Sequence, residues 1–197
     1  MRRVVVGGET SAGKTTFSRA LASRLGVPVI ELDTLFWGPN WTRAAPGEFR
    51  ARVADRIAED AWIVDGNYSV LRDLVWSRAD TFVWLDPPFR VLVWRLFLRT
   101  NRRIRSREQL WSGNRERFAN AYLSKDSLYV WLFRAYRRHQ RDWPHALADP
   151  KYTHLQVHRF RTPGEADRWL RAVDGNNDRG DGRSEMTWPP VTGGDDE

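Results

Sequence analysis

Short apolar runs alternate along this chain with stretches whose apolar residues recur every three or four positions. Residues 3–6 form a β-branched run that reads as a buried strand. Phe17, Leu21 and Leu25 stand at i, i+4 and i+8, which predicts a helix over 14–25 with Gly26 at its C-cap. Residues 27–32 read as a second strand. Phe49, Val53 and Ile57 repeat at i+4 and predict a helix over 46–60, with Pro46 in its first turn. Trp62-Ile63-Val64 is a third strand, 70–78 a short helix, and 81–85 a fourth strand stopped by Pro87-Pro88. Two basic, aromatic-rich helices come next, over 89–103 and 114–141, around a polar break at 106–113. Residues 153–157 read as a fifth strand, and Thr162-Pro163-Gly164-Glu165 opens a last helix through 172. Strands alternating with helices predict an α/β fold, a mostly parallel five-stranded sheet covered on both faces. The basic helices between strands four and five are expected to stand as an insertion outside the core.

The chain has 197 residues, enough for one domain with a sizeable core. Periodicity ends near residue 174, where Gly, Asp and Asn take over. The expected organisation is therefore one domain over 1–173 and a disordered acidic tail over 174–197. The absence of cysteine excludes disulfides, Cys-ligated metals and thiol catalysis, and makes a reducing cytoplasm the default location. No apolar run is long enough for a membrane span or a secretory signal, since Gly7-Gly8 ends the opening one. The formal net charge is +7, but it is unevenly placed. Residues 90–141 carry 14 basic groups, 13 of them Arg, against three acidic ones. Arginine's planar fork binds phosphate at two points, so this segment is expected to meet a polyanion.

Gly8-Glu9-Thr10-Ser11-Ala12-Gly13-Lys14-Thr15 fits G-x-x-x-x-G-K-[ST] in full. It comes after a predicted strand and opens a predicted helix, the setting in which the motif binds phosphate. Glycines let main-chain N–H groups approach phosphate oxygens, and the helix N-terminus adds partial positive charge. Lys14 is placed to reach β- and γ-phosphates, Thr15 to ligate Mg²⁺, and Thr16 to support the α-phosphate side. Residues 8–16 are thus the expected ATP site.

Ligands of open α/β sheets bind beyond the carboxyl ends of the strands, where Asp33, Asp65 and Asp86 fall. Mg²⁺ on a nucleotide needs an anionic partner, and both Asp65 and Asp86 end apolar runs. Gly66 beside Asp65 permits close backbone approach, whereas Asp86 precedes a proline and reads as structural. Asp33, with Trp37 and Trp41 near it, is a candidate acceptor wall. A carboxylate there suits a hydroxyl acceptor, which must lose a proton. Arg95 and Arg99 share one helical face, and with Arg115 they are the candidates for a closing lid that neutralises transferring phosphate. The four histidines show no metal-ligand spacing and read as ordinary. A second reading is an ATP-binding, nucleic-acid-associated regulatory protein, whose basic 90–141 segment interleaves Trp111, Tyr122, Tyr129, Trp131 and Tyr136 with arginines.

On these motifs the chain resembles the adenylate-kinase-like P-loop proteins, and within them the bacterial topology-modulation or adenylate-kinase-related group. The shared stretches are Gly8–Thr15, Leu32-Asp33-Thr34-Leu35-Phe36-Trp37, Trp62–Tyr68, Leu85-Asp86-Pro87 and Gly113-Asn114-Arg115-Glu116. The resemblance implies a three-layer P-loop fold, an Arg-rich helical lid between strands four and five (about 95–141), and ATP with Mg²⁺ as donor. Arg95 and Arg99 match the R-x-x-x-R that opens the family's lid. Asp65-Gly66 match the start of D-G-F-P-R, but Asn67-Tyr68-Ser69 depart from it and lack its acceptor-binding arginine. The resemblance implies a nucleoside monophosphate acceptor, and the missing arginine points to a hydroxyl compound instead. The acceptor candidates are Asp33, Trp37, Asn67 and Tyr68. Lys14, Asp65, Arg95, Arg99 and Arg115 are the catalytic candidates, and Thr15 with Asp65 the metal pair.

Overall fold

The computed structural model describes residues 1–106, 108–114 and 128–174. Arg115, Arg117, Tyr122 and the acidic tail beyond 174 lie outside the described residues. Five strands, β1 (Arg3–Gly8), β2 (Val29–Glu31), β3 (Trp62–Asp65), β4 (Thr81–Leu85) and β5 (Gln156–Phe160), form one sheet in the order β2-β3-β1-β4-β5. Every pairing is parallel. The helices are α1 (Lys14–Leu25), α2 (Leu32–Phe36), α3 (Pro46–Arg56), α4 (Arg72–Trp76), α5 (Phe89–Ser106), α6 (Leu128–Leu147) and α7 (Pro163–Asp174).

The alternation of side chains along each strand divides the core into two layers. Val4, Val6, Ile63, Val83 and Leu85 pack with Phe17, Leu21, Leu92, Leu96, Leu132 and Leu170, so α1, α5, the start of α6 and α7 cover one face. Val5, Trp62, Val64, Phe82 and Trp84 pack with Phe49, Val53, Ile57, Val75, Trp76 and Trp143, so α3, α4 and the end of α6 cover the other. Central strands buried on both faces explain why these runs are continuously apolar.

The structure corrects three expectations. The helices α5 and α6 are not outside the core: Leu92, Leu96, Leu132, Ala135 and Trp143 are all buried. Their outer faces mix exposed arginines such as Arg102 and Arg105 with exposed Trp94, Phe97, Leu98, Trp131 and Phe133. The fifth strand runs over Gln156–Phe160, not 153–157. Its polar His158 and Arg159 hide it, and the preceding Tyr152 and Leu155 belong to a tight turn packed beneath the sheet. The second strand is only three residues long, and the chain turns at once into α2, a helix too short for any periodicity to announce.

The helix α6 ties the two layers together. Its 20 residues span about 30 Å at 1.5 Å per residue. Leu132 near its start lies in one core layer and Trp143 near its end in the other. Between them His139 and Gln140 meet Glu9 and Asp86, so α6 passes the carboxyl ends of β1 and β4 rather than lying on one face. A Cβ on Gly7 would come within 2.8 Å of the Phe82 ring and 2.9 Å of Trp143, so only glycine lets Trp143 pack this close to β1. That contact anchors α6 beside the loop at the end of β1.

Candidate active site

The central strand β1 ends at Gly8, and the chain bends through residues 9–13 before α1 opens at Lys14. Gly13 has φ 99° and forms the N-cap with no side-chain bond, leaving the helix's first amides directed at the loop interior. Ser11 sits at φ 64°, a left-handed conformation costing a non-glycine residue about 1–2 kcal/mol. Its hydroxyl is buried without a partner among the described residues. Backbone strain of this kind concentrates at ligand sites. The carbonyl of Glu9 accepts from the Ala12 amide at 3.1 Å and from Lys14 Nζ at 3.0 Å. The Lys14 side chain is thus folded back across the loop.

The strand order sets what stands beside this loop. β3 and β4 flank β1, in register Val6 with Asp65 and Gly8 with Leu85. Asp65 and Asp86 therefore lie on opposite flanks of the same turn. Thr15 Oγ1 donates to Asp65 Oδ2 at 2.7 Å. Burial pushes the Asp65 carboxyl up from its usual range, with Glu31 and Asp33 adding to the rise, while Lys14 and the Thr15 hydrogen bond oppose it. Asp86 has a different role. Arg159 Nη2 and Nε donate to its Oδ2 at 2.6 and 2.9 Å, Gln140 donates to Oδ1, and the Arg159 guanidinium lies 4.0 Å from the Trp84 ring centre. Asp86 is committed to a buried ion pair, and Asp65 to the phosphate-loop threonine.

Two arginines of α5 come down on the loop. Arg95 Nη1 donates to the Ala12 carbonyl at 3.4 Å, and Arg99 Nη2 to Thr10 Oγ1 at 3.0 Å. Thr16 comes next to Thr15 on the exposed first turn of α1. Arg115 is outside the described residues, so no position is assigned to it.

The four acceptor candidates stand on two neighbouring segments. Tyr68 OH donates to Asp33 Oδ1, and the Tyr68 ring packs on Phe36 at 4.8 Å and Phe49 at 5.1 Å. Burial and Asp33 push the Tyr68 phenol well up, so it stays a neutral donor. Asn67 presents a buried Nδ2 with no partner among the described residues. Trp37 stands edge-on to Phe36 at 4.8 Å and to Trp41 at 5.4 Å, with the Arg43 guanidinium 6.0 Å from its ring.

Sequence reasoning assigns no structural role to several groups here. Arg43 and Glu31 carry no motif. Asn114 is buried, accepts from the Trp41 amide at 2.9 Å and donates to the Gly38 carbonyl at 2.9 Å. Ser112 Oγ donates to the Trp37 carbonyl at 2.7 Å, and Trp111 packs edge-on to Trp41. Residues 111–114 are thereby clasped to the segment 37–41. His139, ordinary by its spacing, meets the Glu9 side chain. These hydrogen bonds join residues 73 to 130 positions apart, and no local spacing announces them.

A three-layer α/β fold with a complete phosphate loop at the carboxyl end of its central strand is a P-loop fold. Solved structures bear this out. The chain is similar to a gluconokinase from Sinorhizobium meliloti 1021 (TM-score 0.52, 18% identity, covering 89% of this chain and 93% of that one). It is also similar to a shikimate kinase from Acinetobacter baumannii, solved with shikimate (TM-score 0.52, 16% identity, covering 91% and 96%). No protein-family model and no curated protein matches the sequence. Among the described residues no helix is long and apolar enough to cross a membrane.

Proposed function

We propose that this protein is an ATP-dependent phosphotransferase acting on a small hydroxyl-bearing acceptor. The observation that carries the reading is the Thr15–Asp65 contact at the mouth of a complete phosphate loop, overhung by Arg95 and Arg99. A hydroxyl beside a carboxylate is a hard oxygen donor set suited to Mg²⁺, a cation that keeps several waters and is held through a substrate's phosphates with one or two protein oxygens. Thr15 and Asp65 would hold Mg²⁺, which would supply positive charge against the negative charge of the transferring group.

The chain's own residues supply the rest. Loop amides and Lys14 hold the β- and γ-phosphates, after Lys14 exchanges the Glu9 carbonyl for phosphate oxygen. Arg95 and Arg99 leave their loop oxygens to meet the transferring group, a lid-like use of the basic helices. Asp33 orients the acceptor hydroxyl and takes its proton, with Tyr68 holding the carboxylate in place. Asn67 offers its amide N–H to an acceptor oxygen. Asp33 and Asp65 put carboxylates at the acceptor end, while Glu31 is paired with Arg19 at 2.7 Å. A carboxylate facing the acceptor disfavours a monophosphate dianion and favours a neutral or singly charged hydroxyl compound. The names of the two similar structures, a gluconokinase and a shikimate kinase, support the same direction. The likeness to the topology-modulation group supports the donor half of the reading, through the phosphate loop and the lid arginines.

The aromatics named for the nucleic-acid alternative are mostly covered, although Trp94, Phe97 and Phe133 on the same helices are exposed. Tyr129 and Tyr136 pack against the core, Trp111 packs on Trp41, and of the named aromatics within the described residues only Trp131 is exposed. The test is a panel of polyols, sugar acids and nucleoside monophosphates with Mg·ATP, reading ADP release. Acceptor-dependent release with a hydroxyl compound, abolished in Lys14→Ala, is expected. Release with monophosphates alone overturns the acceptor class, and none with any acceptor overturns the kinase reading.

A further inference from the structure

Glu9 is a carboxylate in the wrong surroundings. It stands at the second position of a loop built to hold phosphate, and only 6% of it is exposed. The motif accepts any residue there. A buried negative charge repels an incoming polyphosphate, and the repulsion is strong where water is excluded. The same residue also anchors the loop, because its carbonyl accepts from both Ala12 and Lys14.

The Glu9 Oε1 meets Nδ1 of His139, from the middle of α6 and 130 residues away. A carboxylate only accepts, so Nδ1 is the donor. Oε2 has no partner among the described residues. His139 is in turn held from the core side. Its ring stacks on Trp143 at 4.5 Å and 27°, and Trp143 is packed on Phe82 and Trp84. A rigid stack thus fixes the imidazole, and the imidazole fixes the carboxylate.

We propose that His139 is a positioning residue of the phosphate loop, acting through Glu9 to hold that carboxylate on α6 and keep it from opposing bound nucleotide. This rests on the reading of the loop as a nucleotide site. Without His139 the carboxylate is an unpaired charge free to turn into the cradle. The loss is about tenfold in nucleotide affinity, the size of one charge-assisted hydrogen bond.

The test is calorimetric titration of the full chain with Mg·ATP, in the parent, His139→Gln, His139→Phe, Glu9→Gln and the Glu9→Gln/His139→Gln double variant. His139→Gln and His139→Phe both weaken binding about tenfold, although Phe retains the stack on Trp143. The double variant binds within about twofold of Glu9→Gln alone, because with the charge gone the loss of His139 no longer matters. A double variant about tenfold weaker than Glu9→Gln, or a His139→Phe variant that binds like the parent, assigns His139 a packing role and overturns the proposal. So does an unchanged His139→Gln. A parent that takes up no nucleotide overturns the nucleotide-site reading itself, a distinct result.

Discussion

Replacing Arg159 with methionine deletes the guanidinium that pairs with Asp86 and lies over the Trp84 ring, and keeps an unbranched apolar side chain in its place. In the parent, that guanidinium gives Asp86 Oδ2 two hydrogen bonds, at 2.6 and 2.9 Å, and a third goes to Gln140 Oε1 at 2.9 Å. The Asp86 side chain is only 7% exposed, so water cannot replace what is lost. Orphaning a buried charge costs about 3–5 kcal/mol. Gln140 still donates to Oδ1, which places the expected loss near the lower end, about 3 kcal/mol at pH 7.5. For a domain of this size that lowers Tm by about 6–12 °C. Burial already raises the Asp86 carboxyl despite Arg159 and Gln140, and without Arg159 it rises further. A carboxyl whose folded pKa lies above its unfolded one stabilises the fold below the unfolded value, near 3.9, and loses that contribution as pH rises through the folded value. The deficit of Arg159→Met therefore shrinks toward pH 5 and is greatest near pH 8, and the Asp86→Asn/Arg159→Met double variant recovers most of it. Urea unfolding of each protein from pH 5 to 8 measures this. A deficit under about 1 kcal/mol at pH 7.5, or one that does not change with pH, rules out an orphaned buried carboxylate as its cause.

Asp65→Asn keeps an acceptor for Thr15 and removes a charge that burial penalises, so it raises stability by about 1 kcal/mol near neutral pH while abolishing turnover. By the same sign, that gain grows from pH 5 to 8, and melting curves in that range check it. Asn114→Ala deletes both ends of the clasp at Gly38 and Trp41 and costs about 2 kcal/mol, read by urea unfolding, with faster hydrogen exchange at the Trp41 amide. Asp33→Asn lowers kcat with the best hydroxyl acceptor by at least about a hundredfold and leaves the calorimetric Kd for Mg·ATP within about twofold. An equal loss in ATP affinity would remove Asp33 from the acceptor side.

The legible part of the sequence is what short-range pattern encodes. The α1 boundaries, Gly26 at its cap and the limits of β4 come from periodicity and turn chemistry, and the structure has them at Lys14–Leu25 and Thr81–Leu85. The phosphate loop is legible because its chemistry lies in eight consecutive residues. The strand β5 is misplaced by pattern alone because His158 and Arg159 look unlike a buried strand until Asp86 is seen across from them. The place of α5 and α6 in the core is obscured by their arginines, which outnumber the few leucines facing inward. Pairings such as Glu9 with His139 and Asn114 with Gly38 depend on where α6 passes and where residues 111–114 fold back. Both are tertiary facts that no local window contains.

Nucleotide uptake by the phosphate loop underlies every functional role assigned above, and calorimetric titration of the full chain with Mg·ATP, beside the Lys14→Ala variant, measures it. Saturable one-site uptake by the parent is expected at micromolar to low millimolar nucleotide, lost in Lys14→Ala while the fold, read by circular dichroism, is retained. Equal heats from the two proteins, or none from the parent at millimolar nucleotide, would contradict a phosphate-binding role for this loop.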